Sequence, residues 1–343
     1  MKLRAAVVIA LIGILCLSNL VSAAEPVSIT IATGAVGDEL EKSREAAVRY
    51  MELHPNVEIT VLDTPDMVQD RLGLYLQFFE THSPEMDVYQ IDVIWPGDLG
   101  EHFVDLYEYG AEEIAKLHFP EIIENNTVDG RLVAIPWFTD AGLLYYRTDL
   151  LEEYGLEPPK TWDDLEAAAL KIQEGERKKA NQDFWGYVWQ GNAYEGLTCN
   201  ALEWISSNDG GTIIESDEVI SIFNPNAIEI IEKAAGWVGT ISPPGVIGFA
   251  EEDARNMFQG GNAAFMRNWP YAYALGQGPH SVIAGKFDVS PLPAGASGSG
   301  AATLGGWQLA VSKYSRYPEV AADVALFMAS YDEQKIRAIE ASY

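Results

Sequence analysis

Val27-Ser-Ile-Thr-Ile-Ala32 opens the part of the chain that decides the fold class. Its β-branched residues predict a strand, and the glycines at 34 and 37 predict a loop directly after it. Asp38, with Glu41 three positions later, has the pattern of a helix start, and the amphipathic stretch continues to about residue 53. These residues therefore predict a strand, a short loop and a helix in succession.

The same order recurs further along the chain. Strands are predicted at 57–62 and 88–94, with a helix at 67–79 between them. Strands that alternate with helices predict an α/β layer with a largely parallel sheet. Ligands bind beyond the carboxyl ends of the strands in such sheets, which places the loop at 34–39 and Asp92 on one rim.

Two connections are interpreted as crossings between lobes. The first lies between strands predicted at 131–136 and 143–146. The second is near 287–292, where a strand leads into a stretch rich in glycine, serine and alanine at 294–302. A chain of 343 residues with 48% hydrophobic content is long enough for two lobes, each with its own core.

A later stretch, Gly261-Asn-Ala-Ala-Phe-Met-Arg-Asn-Trp-Pro-Tyr271, carries aromatic rings at the predicted end of a strand. Residues 263–266 have the composition of a buried strand, and Pro270 stops it. Trp269 and Tyr271 could meet a ligand at this strand end or could pack in a core, since aromatic residues supply much of ordinary core burial. The residues of this stretch alone leave both interpretations open.

The N-terminus predicts export. An apolar run at 5–17 follows two basic residues and precedes Val21-Ser-Ala23, whose small side chains suit signal peptidase, so we expect a signal peptide at 1–23. The apolar run is too short to predict a membrane span. Cleavage would remove Cys16 and leave Cys199 as the remaining cysteine, so no intramolecular disulfide is expected.

Composition argues against several classes of function. The formal net charge is -29, from 22 basic and 51 acidic residues, whereas nucleic-acid binding needs concentrated lysine and arginine. The acid excess fits a soluble surface, and it also fits a surface that faces a basic partner or a salty exterior. The histidines are scattered without ligand spacing, and the glycine-rich stretch at 295–306 lacks the lysine of a phosphate loop, so no metal site or cofactor is expected.

Several motifs together match a known family. They are Asp87-Val-Tyr-Gln-Ile-Asp92, Ala134-Ile-Pro-Trp137, Asp140-Ala-Gly-Leu-Leu-Tyr-Tyr-Arg147, Pro159-Lys-Thr-Trp162, Phe184-Trp-Gly-Tyr-Val-Trp-Gln-Gly191, Gly261-Asn-Ala-Ala-Phe265, Arg267-Asn-Trp-Pro-Tyr271 and Leu304-Gly-Gly-Trp307. In order and spacing this set resembles the extracellular solute-binding proteins of ABC sugar importers, and it is most similar to the trehalose/maltose-binding proteins. The resemblance covers the chain from Val27 to the last residue.

The resemblance implies a two-lobed periplasmic-binding-protein fold of type II, similar to maltose-binding protein, with hinge crossings between the lobes. It implies an N-terminal lobe at 24–137 plus 288–343 and a C-terminal lobe at 138–287 whose final helices are absent from this chain, since family members continue for several helices beyond Tyr343. The implied function is capture of trehalose, maltose or a similar disaccharide in the interlobe cleft, for delivery to the membrane subunits of an ABC permease. We expect a periplasmic or otherwise extracytoplasmic monomer with no enzymatic activity.

The resemblance also implies a ligand-binding set. Its members are Glu39, Arg71, Asp92, Phe138, Asp140, Trp269, Tyr271, Gly306 and Trp307. A sugar presents apolar C–H faces edged by hydroxyl groups, so the aromatic rings would stack on the faces while the carboxylates accept hydrogen bonds from the hydroxyls. Phe138 stands where close relatives carry a tyrosine. Asp70-Arg71 stands where relatives have a pair of basic residues. The arginine contact that the resemblance implies is therefore either replaced by the opposite charge of Asp70 or displaced onto Arg71.

Two other functions stay open. Acidic and aromatic residues also line glycosidase clefts, and Asp92 with Asp140 could serve as the carboxylate pair of a secreted glycoside hydrolase. A chain without the final helices could also be a truncated binding protein with no affinity for sugar. Trp137, Trp189 and Tyr194 could pack in the core as readily as they could contact a sugar.

Overall fold

The computed structural model describes residues 25–179, 181–215 and 218–343. The predicted signal peptide at 1–23 lies outside the described residues. Within the described ranges, no helix combines the length and the apolar character that crossing a membrane would require.

Strands and short helices alternate along the chain. The first part has β1 (Val27–Thr33), α1 (Glu39–Leu53), β2 (Val57–Asp63), α2 (Val68–Glu80), β3 (Val88–Asp92), α3 (Pro96–Leu99), α4 (Glu112–Ala115), α5 (Pro120–Asn125), β4 (Thr127–Val128), β5 (Arg131–Leu132) and β6 (Ile135–Ala141). The second part has β7 (Leu143–Arg147), α6 (Thr148–Tyr154), α7 (Trp162–Lys178), β8 (Trp185–Val188), α8 (Glu195–Ser207), α9 (Pro225–Trp237), α10 (Glu251–Gln259), β9 (Ala263–Asn268), α11 (Ala272–Gly276), β10 (Phe287–Pro291), β11 (Leu304–Val311), α12 (Pro318–Met328) and α13 (Tyr331–Ala341).

The first large sheet has the strand order β2-β1-β3-β11-β6. Strand β1 runs parallel to β2 and β3, which confirms the predicted α/β arrangement, because each connecting helix returns the chain to the same end of the sheet. The return strand β11 is antiparallel to both β3 and β6. The carboxyl ends of β1, β3 and β6 therefore lie at one edge, beside the start of β11.

The second large sheet has the order β10-β7-β9-β8. Strand β7 is antiparallel to β10 and β9, and β8 is parallel to β9. Every residue of β9 is buried, so the predicted buried strand at 263–266 is confirmed and extends to Asn268. Trp269 follows directly at the carboxyl end of this strand.

The chain passes between the two sheets twice. Strand β6 remains in the first sheet as far as Ala141, which pairs with Leu304, and β7 then enters the second sheet. Strand β10 still pairs with β7 in the second sheet before the chain returns to β11. Strand β6 ends at Ala141 and β10 at Pro291, a few residues after 137/138 and 287/288, where the lobe boundaries stay a prediction.

Each lobe has its own hydrophobic core. In the second lobe Trp162 and Trp204 each pack on Trp237 with ring centroids 5.7 Å apart. Trp137 is buried in the core of the first lobe, and Trp189 is buried in the core of the second. These two tryptophans, whose place the sequence left open, are core residues.

Helix α13 packs against α1 through ion pairs between the two helices. Arg49 Nε donates to Glu333 Oε1 at 2.8 Å, and Lys42 Nζ lies 2.7 Å from Glu340 Oε2. Glu333 and Glu340 thus tie α13 to the first lobe. Two positions after the helix, Tyr343 lies between the two lobes, where its hydroxyl group donates to Val36 O at 2.7 Å and its ring stacks on Tyr271.

Candidate functional site

A cavity of about 510 Å³ lies between the two sheets, at the edge where the carboxyl ends of β1, β3 and β6 meet the carboxyl end of β9. Its volume is in the range of sites that hold small molecules. The residues that line it are Val36, Glu39, Asp66, Val68, Gln69, Asp92, Val93, Ile94, Phe138, Asp140, Tyr194, Glu195, Thr198, Cys199, Leu202, Glu251, Trp269, Tyr271, Thr303, Leu304, Gly305, Gly306, Trp307 and Tyr343. The structure thus brings the predicted set together around one cavity, from both lobes, apart from Arg71.

Trp269 is held in place by three neighbouring groups. The Arg267 guanidinium stacks over the ring, with Cζ 3.8 Å from the centroid. The indole N–H donates to Glu251 Oε1 at 3.3 Å, and Tyr145 donates its hydroxyl hydrogen to the Trp269 carbonyl oxygen at 2.7 Å. The half-buried ring lines the cavity, so it presents an oriented aromatic surface there rather than a freely rotating one.

Tyr271 is the more buried of the two predicted wall residues, with 3% of its surface exposed. Its hydroxyl group donates to Glu252 Oε1 at 2.7 Å, and its ring stacks on Tyr343 with centroids 6.2 Å apart. The Tyr343 ring also lies 4.9 Å from the Phe138 ring, and all three rings line the cavity. Tyr343 was not predicted, because no local pattern places the residue after α13 between the two lobes.

Glu39 begins α1, directly after the loop that follows β1. It is buried, and it accepts a hydrogen bond from Gln90 Nε2 on β3. Burial raises the pKa of the Glu39 carboxyl above its usual value, while the charges of Arg71 and Arg337 and the Gln90 hydrogen bond partly offset the increase.

Asp92 and Asp140 flank the first residues of β11. In the strand register Asp92 pairs with Trp307, and Asp140 pairs with Gly305. The Ile94 amide donates to Asp92 Oδ1 at 3.1 Å, whereas Asp140 Oδ1 is enclosed and has no hydrogen-bond partner among the described residues. Burial raises the pKa of each carboxyl to about 7, and for Asp140 the neighbouring Glu39 and Asp92 carboxylates raise it as well.

Gly306 has a left-handed backbone, with φ of +122°, at the point where β11 shifts its register against β6. A Cβ atom at this position would lie 2.4 Å from the Phe138 carbonyl oxygen. Only glycine fits there. Because Gly306 approaches β6 closely, the half-buried ring of the next residue, Trp307, is oriented so that it forms part of the cavity wall.

The structure corrects the predicted position of Arg71. This residue is completely buried on α2 and does not line the cavity. Its Cζ lies 4.3 Å from the Trp307 ring centroid, and its Nε donates to the Pro65 carbonyl oxygen at 3.0 Å. Arg71 therefore supports Trp307 from behind, because the face of α2 that carries it points at the aromatic ring rather than at open space.

Further lining residues come from the second lobe, and among them Glu251 and Glu195 were not predicted, whereas the sequence left Tyr194 open between core packing and contact with a sugar. Glu251 is the first residue of α10, and burial raises the pKa of its carboxyl. Tyr194 and Glu195, at the start of α8, are half-buried and also line the cavity. Helix starts that tertiary packing brings to the end of β9 carry no local sequence signal.

The site combines aromatic surfaces with carboxylate acceptors. Such a combination binds polyhydroxylated molecules, because hydroxyl groups donate to carboxylates while C–H faces pack on rings. Among the described residues there is no group of three or more histidine, cysteine, aspartate or glutamate side chains arranged to hold a metal ion.

The stabilisation of the unliganded protein by Asp140→Asn is expected to be about 2–3 kcal/mol larger at pH 8 than at pH 5. The folded-state pKa of Asp140, about 7, lies above the usual aspartate value near 4, so the contribution of this carboxyl to stability is fully present below about pH 4 and is lost progressively as the pH rises to about 7. Asparagine carries no charge at either pH. Urea unfolding at both pH values measures the difference.

The matched control is Asp183→Asn, which removes an exposed carboxylate outside the cavity. We expect its free energy of unfolding to differ from that of the parent protein by the same small amount at both pH values. If Asp140→Asn behaved in the same way, the buried carboxyl would not be the source of the pH dependence.

The chain matches the family model of the bacterial extracellular solute-binding proteins over residues 35–335. A probable ABC transporter-binding protein of Deinococcus radiodurans is 48% identical to it over 335 residues, which is 97% of this chain and 79% of the relative. Among solved structures, maltose-bound MalE3 of T. maritima has 40% identity and a TM-score of 0.87, over 92% of this chain and 80% of that one. A solute-binding protein of Thermotoga lettingae with bound α-D-tagatose has 23% identity and a TM-score of 0.80, over 93% of this chain and 81% of that one, and shows the fold alone.

Proposed function

The chain belongs to the bacterial extracellular solute-binding protein family, and from this premise we propose that it captures trehalose, maltose or a similar disaccharide in the cavity between its lobes. The sugar is then delivered to the membrane subunits of an ABC permease. Membership of the family gives the coarser function, an extracytoplasmic sugar-binding component of an ABC importer. We further propose that the protein acts as a monomer.

The observation that carries the proposal is the arrangement of Trp269, Trp307 and the carboxylates around one cavity. Trp269 comes from the second lobe and Trp307 from the first, so a sugar held between the rings would contact both lobes. Asp92 and Asp140 lie beside Trp307 in the strand register, where they can accept hydrogen bonds from the ring hydroxyls. A ligand that bridges two lobes favours their closed arrangement, which is the form a permease can distinguish from the empty one.

We propose a disaccharide because of the similarity to a maltose-bound structure and because of the volume of the cavity. The solved structure with 40% identity contains maltose, and a cavity of about 510 Å³ has room for more than one ring to pack against the aromatic wall. Phe138 offers a ring without a hydroxyl group at this wall, so one hydroxyl of the sugar loses a hydrogen-bond partner that a tyrosine would provide.

Hydrolysis of the bound sugar is a less favoured function. Glycosidases need one carboxyl that is protonated and a second that is ionised. In such enzymes the two carboxyls have different surroundings, which push their pKa values apart. Burial instead raises the pKa of both Asp92 and Asp140 to about 7. The two carboxyls thus lack the opposed environments that general acid and nucleophile require.

Isothermal titration with a panel of di- and oligosaccharides tests the proposed function. We expect saturable binding with one site per chain for trehalose, maltose or a similar disaccharide, and no glucose released from that sugar during incubation. A ligand that binds only the folded protein must also raise its melting temperature. Titration with an amino-acid panel is the control, and failure of every sugar to bind would overturn the proposal.

A further inference from the structure

Acidic residues lie on both sides of the cavity. Six acidic residues line it: Glu39, Asp66, Asp92, Asp140, Glu195 and Glu251. Among the described residues, no lysine, arginine or histidine lines it. Any molecule that enters the cavity therefore meets acceptors and negative potential, with no cation at the wall to compensate an anion.

The nearby guanidinium groups are held behind the aromatic layer. Arg267 is completely buried under Trp269 and is bound to Glu203, with Nε 2.9 Å from Glu203 Oε2. Arg71 lies behind Trp307, with its Cζ 4.3 Å from the ring centroid. Arg337 likewise lies over the Trp137 ring in the first lobe, at 4.0 Å. None of these three guanidinium groups lines the cavity, and Trp269 and Trp307 are stacked on two of them. Their charges still act on the cavity carboxyls, with Arg71 and Arg337 lowering the pKa of Glu39.

Two of the carboxylates have acceptor capacity that the protein leaves unused. Asp92 is only 8% exposed, yet it lines the cavity, and the one hydrogen bond of its side chain among the described residues comes from the Ile94 amide to Oδ1. Asp140 Oδ1 is enclosed without any partner among the described residues. Buried acceptors of this kind need donors, so the pair points to a ligand that brings donors with it.

An ammonium group fits this requirement better than a hydroxyl group does. It offers three hydrogen-bond donors and no acceptor, and its charge offsets that of the carboxylates. Hydrogen bonds to an ionised carboxylate are about twice as strong as those between neutral groups, and an ammonium donor adds direct attraction between opposite charges, which a hydroxyl group lacks. A phosphate or carboxylate group on the sugar would instead add a like charge and only acceptors to the same wall.

We propose that, given the sugar-binding function proposed above, this cavity selects its ligand by charge and prefers an amino sugar to the matching neutral sugar. The amino group binds between Asp92 and Asp140, at the start of β11. Sugar phosphates and uronates are excluded by the surrounding carboxylates. Neutral sugars still bind, because the carboxyls accept hydrogen bonds from hydroxyl groups as well. Burial raises the pKa of both carboxyls, because ionising a buried carboxyl is costly. A cation in the cavity lowers that cost, so the burial of the two carboxyls also supports a preference for an amino sugar.

The test is titration calorimetry with matched ligands at pH 8. The probes are trehalose, its 2-, 4- and 6-amino derivatives and trehalose 6-phosphate, together with maltose, its amino derivatives and maltose 1-phosphate. At least one amino derivative is expected to bind about tenfold more tightly than its neutral parent at low salt, and each phosphate about tenfold more weakly. The advantage of the amino sugar should shrink at 1 M salt, whereas the affinity for the neutral sugar should stay the same.

Single-residue variants test whether Asp92 and Asp140 are the source of the preference for amino sugars. Asp92→Asn and Asp140→Asn are each expected to reduce the ratio of amino-sugar to neutral-sugar affinity towards one. Glu174→Gln removes an exposed carboxylate on α7, outside the cavity, and should leave that ratio unchanged. The salt dependence of the parent protein provides a second measurement that does not depend on the folding of any variant.

The outcomes separate this proposal from the sugar-binding function itself. If neutral sugars bind but no amino derivative binds more tightly, or if a phosphate binds as well as its parent, selection by charge is wrong while sugar binding stands. If an amino sugar binds tightly and both asparagine variants keep the full preference, the assignment to Asp92 and Asp140 is wrong. If no probe binds, both proposals are overturned.

Discussion

Replacing Glu203 with glutamine is expected to lower the free energy of unfolding by about 3–5 kcal/mol. Glu203 and Arg267 form an ion pair in which neither side chain is more than 1% exposed. Arg267 donates from Nε to Glu203 Oε2 at 2.9 Å and from Nη2 to Oε1 at 2.5 Å. Glutamine offers one oxygen and turns an N–H₂ group towards the other donor, so a buried guanidinium loses its counter-charge and one acceptor.

The surroundings of this pair leave little room for adjustment. The Gln190 side-chain oxygen accepts from Arg267 Nη1 at 3.2 Å, and the Thr303 amide donates to Glu203 Oε1 at 3.1 Å. A Cβ atom on Gly142, in the crossing between the sheets, would lie 2.1 Å from the same oxygen. The ion pair between Glu203 and Arg267 thus contacts both segments that cross between the lobes. We therefore expect its loss to change the cavity between the lobes as well as the core of the second lobe.

Urea unfolding measures the effect, with Glu174→Gln on the surface as the matched control. The control should unfold at the same urea concentration as the parent protein, because an exposed charge contributes little. The double variant Glu203→Leu/Arg267→Met removes both buried charges and should lose less stability than Glu203→Gln alone. Equal stability of Glu203→Gln and the control would show that the ion pair does not carry the stability assigned to it.

The sequence predicts the first sheet because its strands have a strong local pattern. The β-branched residues of β1 and the helix start after it lead to the parallel order that the structure has. The rule that ligands lie beyond the carboxyl ends of parallel strands then places Glu39 and Asp92 on one rim. Both residues line the cavity, since the ends of β1 and β3 are neighbours in the sheet.

The residues that sequence reasoning misplaced or missed depend on tertiary packing. The family resemblance implies an arginine contact displaced onto Arg71, but which face of α2 meets Trp307 is set by the packing of the helix on the sheet. Glu251 and Tyr343 belong to helix ends that approach the cavity from opposite lobes. Nothing in their local sequence distinguishes them from solvated or core residues, so only the folded chain reveals them.

Trp269→Ala is expected to weaken sugar binding by about 30- to 1000-fold, which corresponds to about 2–4 kcal/mol. The ring is oriented by Arg267 on one face and by Glu251 at its N–H, so it offers a sugar a flat surface at little entropic cost. Alanine removes that surface and opens the cavity to water. Titration calorimetry with the tightest-binding neutral disaccharide measures the loss.

Trp185→Ala is the matched control for the loss of a tryptophan. Trp185 is half-buried on β8 and also stacks on an arginine, with Arg177 Cζ 4.3 Å from its ring centroid, but it does not line the cavity. We expect Trp185→Ala to keep the parent affinity, and Trp269→Phe to keep part of it because a smaller ring remains. If Trp269→Ala bound sugar as tightly as Trp185→Ala, the aromatic wall would contribute only to the packing of the second lobe, and the sugar would have to be held by the first-lobe residues around Trp307.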